Sequence, residues 1–258
     1  MTLDKLAWGD SVIVRGDCMR VLPRLEGWSI ELVLCDLPYG VTDSRRDIPV
    51  PLDRLWAQYE RILAPSGVVV LFVQQPFATR LIATAPQRWF RYEWIWDKRS
   101  VTGFQWANQR PMRRHESVLV FSPSRPAYYP QGLRPVERTR KPRARRPSEC
   151  YSRIARQGGR QQFTGYPQSI LTYARERGAR PFQKPVALLS YLIRTYTLPG
   201  ASVLDNTMGT GSTGVACIDT DRQFIGIERD AATFRIAEAR IADAIAAAIT
   251  GREAAPGD

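Results

Sequence analysis

The sequence LDNTMGTGSTG, residues 204–214, is the most informative part of the chain, because it places a cluster of glycines between a short apolar run and a helical pattern. A strand, a glycine-rich loop and a helix in this order are typical of a ligand-binding crossover in an α/β sheet. The glycines let a ligand approach the backbone, and the start of the helix offers free N–H groups to an anion. Gly209, Gly211 and Gly214 have the GxGxxG spacing, which alone also allows a dinucleotide site, whereas the missing Gly-Lys-Ser/Thr sequence excludes a P-loop.

Two acidic residues near this loop argue against a nicotinamide cofactor. Asp205 stands at the end of the strand, before the glycines, and Glu228 follows only one short helix and one strand later. This arrangement suits a cationic amino-acid group near Asp205 and ribose hydroxyls at Glu228.

Apolar strands alternate with helical patterns on both sides of the loop, which predicts an α/β fold with a mostly parallel, twisted sheet. In such a sheet, ligands bind beyond the carboxyl ends of the strands. The predicted strands are 11–14, 30–35, 68–73, 90–96, 117–121, 202–204 and 223–227, and the predicted helices are 52–63, 76–84, 185–196, 212–218 and 231–248.

A second loop, Asp36-Leu37-Pro38-Tyr39-Gly40, also follows a predicted strand and should therefore lie at the same edge of the sheet as the glycine loop. A turn of Asp, Pro and Gly is common, but this one carries residues that could act on the amine of a nucleobase. Such an amine is a poor nucleophile, because its lone pair is delocalised into the ring. A carboxylate and a backbone carbonyl that accept its N–H groups would stabilise the positive charge that develops during attack. An aromatic ring such as that of Tyr39 could stack on a base that has left the double helix.

Nearly all of the excess positive charge lies in one segment. The chain of 258 residues has a formal net charge of +12, and residues 122–180 hold 14 Lys or Arg against 3 Asp or Glu, which is +11. A charge run is often only a solvated face, but this concentration favours a polyanion as the partner.

The remaining composition predicts a cytoplasmic protein that uses neither a membrane nor a metal. No apolar run approaches 18 residues. Four cysteines without a CxxC pair and one histidine, His115, make a zinc site improbable. The cysteines are interpreted as packing residues in a reducing compartment, and His115 as a structural residue at the start of a strand.

These motifs, in this order, resemble those of the DNA amino-methyltransferases in the permuted arrangement called the β class. The turn Asp36–Gly40 is similar to the DPPY catalytic motif of that family, and the loop that begins at Asp205 is similar to its DPFMGSGTT cofactor loop. Phe182–Pro185 resembles the end of its HPTQKP motif, and Gly16–Cys18 resembles a segment whose aspartate lies near the adenine of the cofactor.

The resemblance implies a Rossmann-like methyltransferase fold, S-adenosylmethionine as the cofactor and double-stranded DNA as the partner. It further implies methyl transfer to N6 of a flipped-out adenine, since Asp rather than Ser at position 36 accompanies adenine in this family. The catalytic residues implied in this way are Asp36, Leu37, Pro38 and Tyr39. The implied cofactor-binding residues are Asp17, Lys184, Asp205, Thr207, Gly209, Gly211, Ser212, Thr213 and Glu228.

The same resemblance predicts the domain organisation. Residues 1–121 and 181–248 are expected to form the catalytic and cofactor-binding domain, residues 122–180 an inserted small target recognition domain, and residues 249–258 a disordered tail. A homodimer is one form that the protein could take. The residues expected to contact the DNA backbone are Arg140, Lys141, Arg143, Arg145 and Arg146.

Three departures from the family pattern stand out. Leu37 replaces the first proline of the catalytic motif, but the family's acceptor there is the main-chain carbonyl, which leucine retains. Asn206 and Thr207 replace Pro and Phe in the cofactor loop, which predicts looser packing around the methionine part of the cofactor. Residues 180–182 also differ from the HPT of the family motif.

Other functions remain open from the sequence. An N4-cytosine or an RNA methyltransferase would share both loops, and a DNA-binding protein with a decayed site is compatible with Leu37 and Thr207. A nicotinamide-dependent oxidoreductase rests only on the GxGxxG spacing. Trp94, Trp96, Phe104 and Trp106 are expected mainly to pack in the core or in loops, and Phe104 and Trp106 are also candidates to line a base pocket.

Overall fold

The computed structural model describes residues 2–6, 8–40, 48–140, 159–176 and 183–253. The chain divides into two compact units, of which the larger comprises Met1–Tyr129 and Ser169–Asp258 and the smaller Pro130–Gln168.

The larger unit is built on a nine-stranded sheet with the strand order β1-β2-β11-β10-β3-β4-β6-β5-β9. Its five central strands, from β2 to β4, are parallel, whereas β1 and β6 are antiparallel to the strands beside them. The predicted α/β fold with a mostly parallel sheet is therefore confirmed. The strands are β1 (Thr2–Lys5), β2 (Val12–Arg15), β3 (Ile30–Asp36), β4 (Leu63–Val73), β5 (Phe90–Thr102), β6 (Arg113–Phe121), β9 (Ile170–Thr172), β10 (Ser202–Asp205) and β11 (Gln223–Glu228).

Helices cover both faces of this sheet, because the central strands carry apolar side chains on both faces. Leu32 and Leu34 of β3 belong to the core under α4, α5 and α6, and Val33 and Cys35 belong to the core under α1, α2 and α3. The helices are α1 (Cys18–Val21), α2 (Leu52–Ile62), α3 (Phe77–Thr84), α4 (Val186–Tyr196), α5 (Ser212–Asp219) and α6 (Ala231–Glu253).

The helix α2 shows how the sequence determines these elements. Its buried residues, Leu52, Leu55, Trp56, Tyr59 and Ile62, recur at helical spacing and form one apolar face. The chain then enters β4 at Leu63, where the pairing with β3 shifts register between Ile30 and Leu32. The predicted break at residues 65–67 is thus an irregular start of β4.

The structure corrects several predicted boundaries. The hairpin strands β5 and β6 extend beyond the predicted 90–96 and 117–121, because backbone pairing continues through polar residues that carry no apolar alternation. Helix α6 continues to Glu253, so that 249–253 belong to a helix and not to the predicted tail. Residues 254–258 lie outside the described residues.

The smaller unit contains the antiparallel strands β7 (Arg134–Arg140) and β8 (Gly159–Thr164). Both lie within the predicted recognition insert 122–180, whose function stays a prediction. The strand β9 also lies within that range, but it belongs to the larger unit and pairs with β5. None of the described helices is long and apolar enough to cross a membrane.

Candidate active site

Four parallel strands end at one edge of the sheet, and the residue at or just after each end is acidic. These residues are Asp17 after β2, Asp36 at the end of β3, Asp205 at the end of β10 and Glu228 at the end of β11. All four line a single cavity of about 1160 Å³. Parallel pairing of neighbouring strands explains this clustering, since it brings strand ends that are distant in sequence to one edge.

The two loops that the sequence singled out are in direct contact. Strand β10 pairs with β3, and the hydroxyl of Thr207 donates a hydrogen bond of 3.1 Å to the backbone carbonyl of Asp36. Behind them, the thiol of Cys35 donates to Oδ1 of Asn206 at 2.9 Å. The phenol of Tyr59 donates to the same oxygen at 2.6 Å. Of the residues that replace Pro and Phe of the family motif, Thr207 thus links the two loops, and Asn206 links the glycine loop to β3 and α2.

The carboxylate of Asp36 is held by two side chains. The phenol of Tyr39 donates to its Oδ1 at 2.6 Å and also lies 3.0 Å from the carbonyl oxygen of Phe72. The ammonium group of Lys184 donates to Oδ2. Asp36 remains about one third exposed and lines the cavity, so that its remaining lone pairs are accessible to a ligand.

Lys184 begins a buried chain of alternating charges behind Asp36. Its Nζ lies 3.4 Å from Oε2 of Glu116, and Oε1 of Glu116 lies 3.3 Å from Nζ of Lys98. Burial alone would lower the pKa of Lys184, but the carboxylates of Asp36 and Glu116 outweigh it and raise the pKa above its usual value. Burial would likewise raise the pKa of Glu116, but Lys184 and Lys98 outweigh it and lower that pKa. Lys184 and Glu116 are therefore both charged at neutral pH.

Lys184 was expected to bind the cofactor, and the structure places its charged group on the carboxylate of Asp36. The ammonium also lies 5.2 Å from the ring centroid of Phe72 and 6.0 Å from that of Trp96. Glu116 was missed from the sequence, where a single acidic residue before an apolar strand carries no sign of a site.

The other residues of the turn have separate roles in packing and in lining the cavity. The side chain of Leu37 is buried in the core that contains Leu55 and Tyr59. Pro38 and Tyr39 line the cavity, and the Tyr39 ring packs against Phe77 with centroids 5.0 Å apart.

The three glycines of the GxGxxG spacing differ in what surrounds them. Gly209 has a φ of +52°, lines the cavity, and a Cβ added there would meet no atom within 4 Å. A Cβ added at Gly211 would instead lie 3.0 Å from Cβ of Ala237, and one added at Gly214 would lie 2.6 Å from Cδ1 of Ile241. Gly209 is thus open to a ligand, whereas Gly211, also expected at the cofactor, and Gly214 allow α6 to pack closely.

Asp205 is buried beneath this loop. Its carboxylate accepts a hydrogen bond of 2.7 Å from the hydroxyl of Thr213 and one of 3.1 Å from the backbone N–H of Thr207. Burial raises the pKa of Asp205 to about 7, against the opposing effect of these hydrogen bonds. A cationic group bound in the cavity would restore the ionised form, so the site is suited to a positively charged ligand.

Glu228 and Asp17 are placed at the opposite side of the glycine loop from Asp36. Oε2 of Glu228 accepts from the backbone N–H of Gly209 at 3.1 Å, and its Oε1 accepts from that of Asp230 at 2.7 Å. Asp17 caps α1 by accepting from the N–H of Met19 at 2.8 Å. Both carboxylates retain free lone pairs at the cavity, which suits the hydroxyls and amine of a nucleoside.

Arg240 of α6 braces the glycine loop and was also missed from the sequence. Its guanidinium donates to the carbonyl of Thr210 at 2.6 Å and to the hydroxyl of Ser212 at 3.2 Å. The hydroxyl of Thr210 in turn donates to Oε1 of Gln183 at 3.1 Å. Ser212 and Thr213, both expected at the cofactor, line the cavity at the start of α5.

The aromatic residues considered from the sequence fall into two groups. Trp94 and Trp96 are buried in the core, as expected. Trp106 lines the cavity, whereas Phe104 projects into solvent and is 81% exposed. His115 is exposed on β6.

Two further predictions concern charged groups. Arg140 ends β7, and Lys141, Arg143, Arg145 and Arg146 lie outside the described residues, so their contact with DNA stays a prediction. Within the described ranges, no group of His, Cys, Asp or Glu side chains could hold a metal ion.

The parallel sheet, the glycine loop and the acidic strand ends define a class I, Rossmann-like methyltransferase fold. The DNA methylase family model of N6-adenine and N4-cytosine enzymes matches residues 30–239. The chain belongs to this family and is a DNA methyltransferase.

Known relatives agree with this assignment at low sequence identity. The chain is 24% identical over 242 residues to the type II methyltransferase M.HpaI of Haemophilus parainfluenzae, covering 90% of this chain and 74% of that protein. The M1.HpyAVI–SAM complex superposes with a TM-score of 0.60 at 21% identity, covering 88% of this chain and 98% of that one. The cytosine-N4-specific PvuII DNA methyltransferase gives 0.62 at 15% identity, covering 95% and 94%. TTHA0409 of Thermus thermophilus, complexed with S-adenosyl-L-methionine, gives 0.57 at 22% identity, covering 90% and 95%.

Proposed function

We propose that the chain transfers a methyl group from S-adenosylmethionine to N6 of an adenine that has been extruded from duplex DNA. One observation carries this proposal. The Asp36 carboxylate and the open backbone at Gly209 line the same cavity, in two loops that the hydrogen bond from Thr207 to Asp36 joins. A donor and an acceptor of a methyl group could therefore meet within one site.

S-adenosylmethionine is the cofactor, and the residues of the cavity fit it. Asp17 and Glu228 would hold the nucleoside of the cofactor. Gly209 would let the cofactor approach the backbone of the loop closely, and Asp205 would lie near the cationic amino-acid half of the cofactor. When bound, the cofactor supplies an electrophilic methyl group on a sulfonium. Solved structures of similar fold that contain this cofactor support the choice.

Asp36 activates and positions the amine. One of its carboxylate oxygens and the carbonyl of Leu37 accept the two N–H groups, which turns the nitrogen lone pair toward the incoming methyl group. The carboxylate also stabilises the positive charge that develops on the nitrogen. The proton that the amine loses passes to an oxygen of Asp36 and then to water, so that no covalent intermediate with the protein and no metal is needed.

The buried chain of charges tunes this carboxylate. Lys184 holds Asp36 in place, but a positive charge near a developing cation would by itself raise the barrier. Glu116 compensates the charge of Lys184, since its Oε2 lies 3.4 Å from Nζ. Asp36 therefore presents a net negative charge to the amine although it is bound to a lysine.

Tyr39 is expected to lie against one face of the base. Its phenol is fixed by Asp36 and its ring by Phe77, so the ring has little freedom to rotate away. Stacking of this kind contributes about 1–3 kcal/mol per base in single-strand binding.

The basic segment 122–180 would grip the DNA and read its sequence. Its charge of +11, from 14 basic and 3 acidic residues, fits a polyanion. Each phosphate contact releases condensed counterions, so the affinity for DNA is expected to fall steeply as the salt concentration rises.

N4-cytosine is the second candidate target. The cytosine-N4-specific PvuII enzyme has a similar fold, with a TM-score of 0.62, which supports N4-cytosine as the second candidate. Asp rather than Ser at position 36 favours adenine, because this residue accompanies adenine in the family that the motifs resemble.

The deciding experiment is expression of the full chain in a host that lacks DNA methylation. Hydrolysed genomic DNA is then examined for N6-methyladenine and N4-methylcytosine by mass spectrometry, and long-read sequencing maps the modified positions. The expected result is N6-methyladenine at a defined sequence, and its absence from cells that express Asp36→Ala.

N4-methylcytosine alone would replace the adenine assignment and leave the site intact. Methylation that Asp36→Ala retains would remove the role given to Asp36. No modified base, together with binding of cofactor and DNA by the purified protein, would identify a DNA-binding protein with a decayed site.

A further inference from the structure

The tip of the β5–β6 hairpin carries apolar side chains that the fold leaves in solvent. This hairpin tip, residues 101–112, begins in β5, turns through one short 3-10 helix at Phe104–Trp106 and ends just before β6. The side chain of Phe104 is 81% exposed and that of Val101 51%. Full burial of a phenylalanine side chain contributes about 1.5–3 kcal/mol to the free energy of folding. Because Phe104 is so exposed, it contributes only a small part of this.

The hairpin tip stands at the mouth of the cavity that holds Asp36. Trp106 and Arg110 line this cavity, and the Arg110 guanidinium carbon lies 5.3 Å from the centroid of the Trp106 ring. Phe104, two residues before Trp106, does not line the cavity. One turn of chain thus places an aromatic ring inside the rim and another outside it.

The positive charge of the hairpin tip and its flanking residues indicates the kind of partner that it could bind. Residues 99–114 contain four arginines and no acidic residue. All four are exposed, and Arg114 also pairs with Asp97 at 2.8 Å. Exposed arginines beside exposed aromatic rings fit nucleic acid, whose phosphates take the charge and whose bases take the rings.

Backbone hydrogen bonds within the turn that carries Phe104 hold its shape. The backbone N–H of Trp106 donates to the carbonyl of Gly103 at 3.0 Å, and that of Ala107 donates to Phe104 at 3.0 Å. Beside it, the guanidinium of Arg113 donates to the side chain of Gln74, which also lines the cavity. A turn with a defined shape can deliver a side chain into a narrow space with a smaller loss of entropy than a disordered loop.

A base that leaves the double helix opens a gap in the stack, and the lost stacking and pairing cost a few kcal/mol. Proteins that deform DNA offset such costs by inserting apolar side chains between base steps. We infer that Phe104 is such a wedge: it enters the DNA stack at the position that the target base vacates, while Trp106 and Arg110 border the entrance through which that base passes. This inference rests on the proposed function.

The test compares Phe104→Ala with the wild type on two duplexes that contain the mapped recognition sequence. One duplex is fully paired, and the other has an abasic site opposite the target base, which lowers the cost of extrusion. Phe104→Ala should lower kcat/KM on the paired duplex tenfold or more, and less than threefold on the abasic duplex. Phe104→Leu, which keeps an apolar wedge, should retain most of the activity.

Trp28→Ala is the matched control, because Trp28 is a similarly exposed aromatic residue, 74% exposed, before the first residue of β3. It thus lies at the edge of the sheet opposite to Asp36. Its activity should stay within twofold of the wild type on both duplexes. Thermal unfolding of each variant checks that the fold is unchanged.

Three results would overturn the wedge. These are wild-type activity of Phe104→Ala on the paired duplex, an equal loss on both duplexes, and a wild-type dimer in sedimentation that Phe104→Ala dissociates, which would assign the residue to contact between copies. A wild type that methylates neither duplex would instead overturn the proposed function together with the wedge. The wild type in every assay therefore distinguishes the two failures.

Discussion

The two strand-end loops lie side by side in one cavity, yet they are held in different ways. The turn at Asp36 is fixed by side chains, since Tyr39 and Lys184 both donate to its carboxylate. The glycine loop is shaped by missing side chains, with Gly209 open to the cavity and Gly211 packed against α6. Its charged residue, Asp205, is buried beneath the loop and accepts hydrogen bonds from within it.

The difference indicates a division of labour. Fixed charges around Asp36 suit a group that must stabilise a transition state. An open backbone with a desolvated carboxylate beneath it suits binding of a cationic ligand. Changes in the first loop should therefore act mainly on kcat, and changes in the second mainly on cofactor affinity, except at Thr207, which bonds to Asp36 of the first loop.

Asp36→Ala should have the largest effect. Loss of a preorganised group that stabilises developing charge costs on the order of 3 kcal/mol, which is about 100-fold in kcat. The dissociation constant for S-adenosylmethionine should change less than threefold, because Asp36 does not belong to the glycine loop. Single-turnover methylation and calorimetric titration measure the two quantities. A variant that loses cofactor binding instead would contradict the separate roles of the two loops.

Gly209→Ala should weaken cofactor binding tenfold or more. The residue has a φ of +52°, which costs an alanine roughly 1–2 kcal/mol, and its new methyl group would point into the cavity. The matched control is Gly200→Ala, since Gly200 has a φ of +83° and equally open surroundings but precedes β10. Calorimetry should find normal cofactor affinity in the control, and equal weakening in both variants would mean that only backbone strain is measured.

The pH dependence of cofactor binding should reveal Asp205. Its pKa of about 7 lies above the ordinary value of 3.8, so the folded protein takes up a proton as the pH falls through 7. A cationic ligand prefers the ionised form, and the dissociation constant should rise about eightfold from pH 7.5 to pH 6. The comparison is between the wild type and Asp205→Asn, and both proteins keep the Cys35 thiol and Asp36, the groups that interact with Asp205. Asp205→Asn should bind more weakly and without this pH dependence.

The raised pKa of Asp205 also affects the stability of the protein without cofactor. This stability should rise as the pH falls, whereas cofactor affinity should fall. A carboxyl whose pKa is raised on folding makes the folded state less stable at pH values above about 7, and this cost disappears as the pH falls from 7 toward 4. Asp205→Asn should therefore be more stable than the wild type at pH 8, by thermal unfolding. A wild type that is the more stable of the two at pH 8 would contradict the raised pKa.

Thr207→Val should have the smallest effect. It removes the hydrogen bond of 3.1 Å between the loops while it keeps the shape of the side chain. A hydrogen bond of this kind contributes about 1 kcal/mol, or about fivefold in kcat if it aligns Asp36. A fall in cofactor affinity with an unchanged kcat would place Thr207 in the binding loop alone.

Both loops could be predicted because their signals are local. A short apolar run followed by glycines, or by Asp-Leu-Pro-Tyr-Gly, marks a strand and the turn after it within a few residues. Parallel strands then require these turns to share an edge, which the pairing of β3 with β10 confirms. The weakest predictions were the ends of elements, such as α6 and the hairpin strands, where polar residues continue a pattern that only backbone pairing defines.

The partners of Asp36 could not be predicted in the same way. Lys184 lies 148 positions along the chain from Asp36, and its sequence context pointed to the cofactor. Glu116 and Arg240 have no local signal at all, because each acts through contacts that arise only when distant strands and helices pack.

Local patterns were enough to predict the alternation of strands and helices, the two loops and the concentration of positive charge, since each depends on neighbouring residues. Which glycine faces the cavity, which lysine meets the Asp36 carboxylate and which aromatic ring stays in solvent depend on contacts that exist only in the folded chain. Burial, charge pairing and packing are properties of groups that folding brings together in space. Side chains far apart in the chain acquire them only after the sheet has formed.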